Sequence, residues 1–167
     1  EEVSFDKIIR RIQSLCEVEP KLNIDAIDIA QQVVGELCDG ITTTELDEEA
    51  AKKCAYMITI DPAYGELASR ISISNNHKST SSSFTETVNM LYNNVDVHGK
   101  NVPLISESLY KIVQKHKHKL NDVIDYSRDY NFDFFGFKTL ERAYLIKIHG
   151  KIVERIQHMI MRVSIGL

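Results

Sequence analysis

The stretch Thr42-Thr43-Thr44-Glu45-Leu46-Asp47 concentrates side chains able to hold a ligand. A hydroxyl at the mouth of a helix stands beside backbone N–H groups that have no acceptor of their own, so Thr43 marks a natural place for a polar ligand. Asp47, one turn further in, repels phosphate and is suited instead to accept hydrogen bonds from hydroxyl or amino groups. The same spacing has a plainer use, because Thr42-x-x-Glu45 and Thr44-x-x-Asp47 both fit the capping box. Phe5, Ile8 and Ile12 offer an apolar wall, and Lys78, with Lys7 or Arg11, offers cations that can neutralise anionic oxygens.

Other residues with chemical potential carry less. Cys16, Cys38 and Cys54 are an odd set without CxxC spacing. Each falls on the apolar face of an expected helix, where a thiol behaves as a small hydrophobe. Buried reduced cysteines point to a reducing, cytoplasmic compartment, and no zinc site or other metal is expected in this segment. The basic run Lys111, Lys115, His116, Lys117, His118 and Lys119 lacks interleaved aromatics. It reads as a solvated helix end, where cations favour the macrodipole. His149 reads as a turn residue and His158 as a polar contact at a helix start. No Ser/His/Asp arrangement and no phosphate-cradling glycine loop is present, so no catalytic residue is assigned.

The totals bound what these groups can belong to. At 167 residues, 43% hydrophobic and 26% charged, the chain is an ordinary globular one with room for one core or two small ones. A net charge of −4 gives no global attraction for nucleic acid or for an acidic membrane, and neither is expected as a direct partner. No apolar run approaches the roughly 20 residues needed to span a bilayer.

The elements follow from periodicity. Phe5, Ile8, Ile9, Ile12, Leu15 and Cys16 share one helical face. Asn23 or Asp25 can cap a second helix with the stripe Ile27, Ala30, Val34, Leu37 and Cys38, stopped by Gly40. A third opens at Thr42–Thr44 with Leu46, Ala50, Cys54, Met57 and Ile58 inward and Glu48/Lys52 and Glu49/Lys53 paired outside. Asp61-Pro62 starts a fourth, with Tyr64, Leu67, Ala68 and Ile71 inward. Ser79 to Ser83 either breaks that helix or lies within it. Residues 93–103 form a loop, and helices follow near 106–115 and 120–124. Thr139 can cap a short helical turn. Ala143 to Ile148 and Lys151 to Ile156 form two β-prone runs around His149-Gly150, a pair suited to the positive φ of a tight hairpin. A last helix begins near Gln157. The fold class is mainly α: a compact four-helix bundle, then further helices and a short β-hairpin. Both ends read as cut, so the chain is expected to be a segment of a longer protein.

Two sets of residues carry a resemblance. Phe134 to Lys147, Glu154 to Met159 and Met161 to Gly166 closely resemble the large subunit of class I ribonucleotide reductase, just ahead of its catalytic barrel. That family usually has Pro where this chain has Ile156. Val3 to Ile8, Gly40 to Asp47, Pro62 to Ile71 and Ser74 to Lys78 resemble the ATP-cone, the nucleotide-binding module at the head of many such subunits. The resemblance implies an ATP-cone at residues 1–82 and the first helical region of the catalytic subunit at 83–167. The family also carries a glycine-containing β-hairpin lid immediately before the position of Glu1.

The resemblance further implies that ATP, as activator, and dATP, as inhibitor, compete for one site formed by Glu1, Phe5, Asp6, Lys7, Thr43, Asp47 and Lys78. Phe5 would lie against adenine, and Asp47 would meet a ribose hydroxyl or the adenine amino group. Allosteric control through large-subunit self-association, a metal-containing small subunit as partner, and deoxyribonucleotide synthesis for DNA replication are implied likewise. None of Cys16, Cys38 and Cys54 matches a redox cysteine of the family. Two other readings are a stand-alone nucleotide sensor, since ATP-cones also occur in a bacterial transcriptional repressor, and a helical interaction module.

Overall fold

The structure is a computed structural model that describes residues 5–34 and 41–167. Glu1, Leu37, Cys38 and Gly40, singled out above, lie outside the described residues, as do the expected stop of the second helix and part of its stripe. The chain is mainly helical with one short antiparallel hairpin. It forms two units, one from residues up to Asn75 with Phe132–Lys138, the other from Asn76–Asn131 with Thr139–Leu167.

In the first unit, α1 (Phe5–Cys16), α2 (Ala26–Val34), α3 (Thr43–Tyr56) and the greater part of α4 (from Pro62) bury one core. Helix α1 turns Ile8, Ile12, Leu15 and Cys16 inward, as its spacing predicts, while Phe5 stays exposed at its start. In α2 the inward face is Ala26, Ile29, Ala30 and Val33, and Ile27 is 46% exposed. The expected stripe thus holds at Ala30 and fails at Ile27. The segment Ala-Ile-Asp-Ile-Ala offers apolar residues on two adjacent faces, and packing selected the one that buries Ile29. Asp25 caps this helix, its Oδ1 accepting from Ile27 N–H at 2.8 Å. At the start of α4, Asp61 accepts in the same way from Ala63 N–H at 2.8 Å. On α3 Lys52 pairs outward with Glu49, at 2.6 Å.

Arg70 ties this unit together. It is 2% exposed, and its guanidinium donates to the carbonyls of Leu15 at 2.9 Å, Val18 at 2.7 Å and Pro20 at 2.7 Å. Its Nε also donates to Glu66 at 3.1 Å. A cation on the orphan carbonyls at a helix end satisfies both their hydrogen bonds and the macrodipole. The exit of α1 is thus fixed from α4.

The second unit is built from α5 (Phe84–Tyr92), α6 (Glu107–Lys115), α7 (Lys117–Asp122) and α9 (Ile156–Gly166), with the end of α4 at Ser79 and the latter part of α8 (Phe134–Ala143). The serine-rich stretch is a break between α4 and α5, and Ser83 caps α5 by accepting from Glu86 N–H. Residues 93–103 form a loop, pinned by an isolated bridge between Val95 and Asn101. Phe84, Val88, Leu109 and Val113 make the core, with Met161 and Ile165 of α9 against it. The run Lys115–Lys119 is exposed across the end of α6 and the start of α7.

Thr139 caps nothing at a helix start. It lies inside α8, which begins five residues earlier because Phe134 and Phe137 are buried and Asp133 supplies the cap. Asp133 Oδ1 accepts from Gly136 N–H at 2.6 Å. The hairpin strands are also shorter than their β-prone runs. Strand β1 (Lys147–Ile148) pairs with β2 (Lys151–Ile152) in the register Lys147↔Ile152 and Ile148↔Lys151. His149 at φ 48 and Gly150 at φ 79 make the two-residue turn, both in the left-handed region as a type I′ turn requires.

Glu154 ends the strand pairing. It is fully buried, accepts from Ile146 N–H at 2.9 Å, and takes Arg162 Nε at 2.6 Å and Nη2 at 3.1 Å. Helix α9 starts one residue ahead of its expected position, at Ile156. The first position of a helix tolerates Pro, whose missing N–H would be an orphan there anyway. Ile156 in place of that Pro leaves the turn intact and fills a buried site.

His158 is the buried polar contact expected at this helix start. Its Nδ1 faces Thr87 Oγ1 at 3.1 Å and accepts from Arg155 N–H at 3.5 Å. Nε2–H then donates to Tyr126 Oη at 2.7 Å, and the Tyr126 hydroxyl donates to Ser82 O at 2.6 Å. Burial, with the charges of Arg155 and His77 nearby, drives its pKa down to about 3.

Candidate functional site

The residues proposed to hold a ligand are positioned by α1, α3 and α4 of the first unit. Helix α3 begins with the capping box that its sequence allows. Thr42 Oγ1 accepts from Glu45 N–H at 3.2 Å, and Glu45 Oε2 accepts from Thr42 N–H at 2.8 Å. The Thr42 N–H, and after it the Thr42 hydroxyl donating to the same Oε2 at 2.7 Å, hold the Glu45 carboxyl below its usual range. The box uses Thr42 and Glu45, not Thr44 and Asp47. That leaves Thr43 as the first helical residue, exposed, with its N–H at an end where no intrahelical acceptor exists.

Asp47 lies one turn in and is 8% exposed. Arg11, reaching across from α1, sets Nη2 at 3.5 Å from Asp47 Oδ2 and donates from the same nitrogen to Ser74 Oγ of α4 at 2.8 Å. Asn75 Nδ2 meets Thr44 O at 3.3 Å, a second tie between α4 and the start of α3. Three helices thus converge on the inner side of the α3 N-terminus through polar side chains.

Phe5, Asp6 and Lys7 occupy the first turn of α1, all exposed. Lys78 is exposed in the last turn of α4, among residues of the second unit, and Glu1 lies outside the described residues. Arg11 links Asp47 to another wall of the site. The sequence offers Arg11 as a phosphate partner. Its tie to a carboxylate 36 positions away has no local signal, although the polar run Ser74-Asn75-Asn76 on an otherwise apolar helix marks where partners would be sought.

Cys16 and Cys54 are reduced and buried. Desolvation raises both thiols, Cys54 to about 12, so neither is a nucleophile at neutral pH. Among the described residues no group of three or more His, Cys, Asp or Glu side chains is placed to hold a metal ion. Among them, too, no helix is long and apolar enough to cross a membrane.

This arrangement is a polar helix start presented by packed helices that bury two reduced thiols. Comparison with known proteins gives it a class. Residues 130–167 match the model of the ribonucleotide reductase all-alpha domain. Over its whole length the chain is 58% identical to the ribonucleoside-diphosphate reductase large subunit of Dictyostelium discoideum, covering 20% of that protein. It is 44% identical to large chain 2 of the same enzyme from Saccharomyces cerevisiae, covering 19%, and 49% identical to the large subunit of Vaccinia virus, covering 22%. The chain belongs to the ribonucleoside-diphosphate reductase large-subunit family and corresponds to its amino-terminal part. It spans about a fifth of the length of these relatives, which are subunits of an oxidoreductase.

Proposed function

We propose that this chain is the regulatory amino-terminal segment of a ribonucleoside-diphosphate reductase large subunit, with an ATP-cone at residues 1–82 and the start of the helical region at 83–167. The observation that carries the reading is identity of 44 to 58% to such subunits along the entire chain, not in one motif. The intact protein reduces ribonucleoside diphosphates together with a small subunit in the cytoplasm. This segment supplies control: ATP activates, dATP inhibits, and each acts by favouring a different state of large-subunit self-association. A ligand shifts such an equilibrium only by its differential affinity for the two states.

The nucleotide site consists of Glu1, Phe5, Asp6, Lys7, Thr43 and Asp47, with Lys78 as a further phosphate partner. Supporting this are an exposed Phe5 able to meet a base, an exposed Thr43 at the first position of its helix, and the Asp47 carboxylate beside Arg11. The test is calorimetric titration of the intact gene product with ATP and dATP, repeated with Asp47→Asn. Saturable binding of both, mutually competitive, with affinities altered by the substitution, is expected. Absence of binding, or two affinities untouched by Asp47→Asn, refutes it.

A further inference from the structure

We propose that the basic run Lys115–Lys119, with the exposed Ile112 and Val123 on either side, is a docking surface for a short acidic, amphipathic segment of a partner protein. The surface lies within the second unit and uses none of the residues assigned to nucleotide, so it stands or falls independently of that reading.

Three observations carry it. First, the charge of the run is uncompensated. Lys21, Lys52 and Lys111 each pair with a glutamate three or four positions away, at 3.6, 2.6 and 2.7 Å. From Ser108 to Asn121, by contrast, the chain has no Asp or Glu. Among the described residues the side chains of Lys115, His116, Lys117, His118 and Lys119 make no ion pair or hydrogen bond, and all five residues are exposed. Second, the helix ends account for only part of the run. Lys115 lies in the last turn of α6, where a cation suits the macrodipole. Lys117 opens α7, the end where a cation is unfavourable, with no acidic residue in that turn and no side-chain cap. Third, the flanks are aliphatic. Ile112 is 44% and Val123 57% exposed. Ile112 precedes Lys115 by three positions and Val123 follows Lys119 by four, the spacing of neighbours on a helix surface.

Charge complementarity selects the occupant. Carboxylates along a short segment neutralise the ammonium groups, and apolar side chains between them cover Ile112 and Val123. A nucleic acid fits less well. No Phe, Tyr or Trp lies between Ile112 and Val123 for bases to stack on, and a long polyanion would run on across a chain whose net charge is −4.

The test is fluorescence anisotropy of a fluorescein-labelled peptide of Leu-Glu-Glu repeats, titrated with the nucleotide-free intact gene product. Saturable binding is expected, weakening as salt rises and absent for a peptide of Leu-Gln-Gln repeats. Lys115→Gln, Lys117→Gln and Lys119→Gln together should weaken it about 10-fold, and Ile112→Thr with Val123→Thr about 3-fold. Lys21→Gln with Lys52→Gln, which removes paired lysines elsewhere, should change it less than about 2-fold. The triple lysine variant should melt at the wild-type temperature, because those side chains hold nothing within the fold. Absence of peptide binding, binding indifferent to the three lysines, or a triple variant that melts lower overturns the proposal. Tighter binding of single-stranded oligodeoxythymidylate through the same lysines overturns it in favour of nucleic acid.

Discussion

Protonation of His158 should weaken the second unit, and the size of the effect can be worked out. The ring is fully buried, neutral, and committed at both nitrogens, with Nδ1 accepting from Arg155 N–H and Nε2–H donating to Tyr126. Its folded pKa is about 3, against about 6.5 for an unfolded histidine. Because the folded value is the lower one, the unfolded chain takes up a proton that the folded chain refuses. The associated stability is intact above about pH 6.5 and declines as pH falls towards 3. Linkage with these two values gives a loss of about 2 kcal/mol between pH 7 and pH 5. Native-state hydrogen exchange of the α9 amides reads this locally, and His158→Gln removes the titration while keeping one donor and one acceptor. Between pH 7 and pH 5, wild-type opening free energy should fall by about 2 kcal/mol more than that of His158→Gln. Parallel pH dependences in the two proteins would refute the burial argument.

Two further outcomes follow from the first unit. Arg70→Met strips donors from the carbonyls of Leu15, Val18 and Pro20 and should cost about 3–5 kcal/mol, read as lost thermal stability and faster exchange at residues 15–20. A loss under about 1 kcal/mol would mean that water replaces the guanidinium there. Cys54, with its thiol raised to about 12, should resist iodoacetamide at pH 8 in the folded protein and react once urea unfolds it, as mass spectrometry would record. Rapid labelling of the folded protein at Cys54 would show that the first core opens readily.

Much of the fold was legible because one-sided burial leaves a period. Ile8, Ile12 and Leu15 on α1 and Leu67, Ala68 and Ile71 on α4 could be read directly from their spacing. His149-Gly150 declared its turn, since few residue pairs adopt two positive φ values in succession. At α2 the spacing placed Ala30 but not Ile27, because two apolar faces adjoin there and packing against α1 and α3 selects between them. Capping failed at Thr139, because the competing signal, Asp133 before buried Phe134 and Phe137, depends on knowing which aromatics go inside. The candidate site was half legible. Thr43 and Asp47 stood out by chemistry and resemblance, but the Arg11 contact joins residues far apart in the chain and leaves no local trace.

The buried polar groups explain what kind of information the similarity carries. Arg70 lies in the stretch Pro62–Ile71, and Glu154, Arg155 and His158 lie in Glu154–Met159, both among the segments whose sequence carries the resemblance to the family. Each is almost wholly buried, and each holds backbone or a partner side chain in place: Arg70 the exit of α1, Glu154 the base of the hairpin, Arg155 the carbonyls of His77 and Thr80, His158 the Tyr126 hydroxyl. A buried charge or imidazole tolerates few substitutes, since removing one partner strands the other out of water. The types of these side chains are therefore set by the fold they hold together. The residues proposed to meet nucleotide are of another kind, because Phe5 and Thr43 are exposed and no packing constraint selects them. Asp47 belongs to both groups, buried enough to need Arg11 and placed at the helix start where a ligand would arrive. That double demand makes Asp47 the point at which structural and regulatory roles can be separated by measurement.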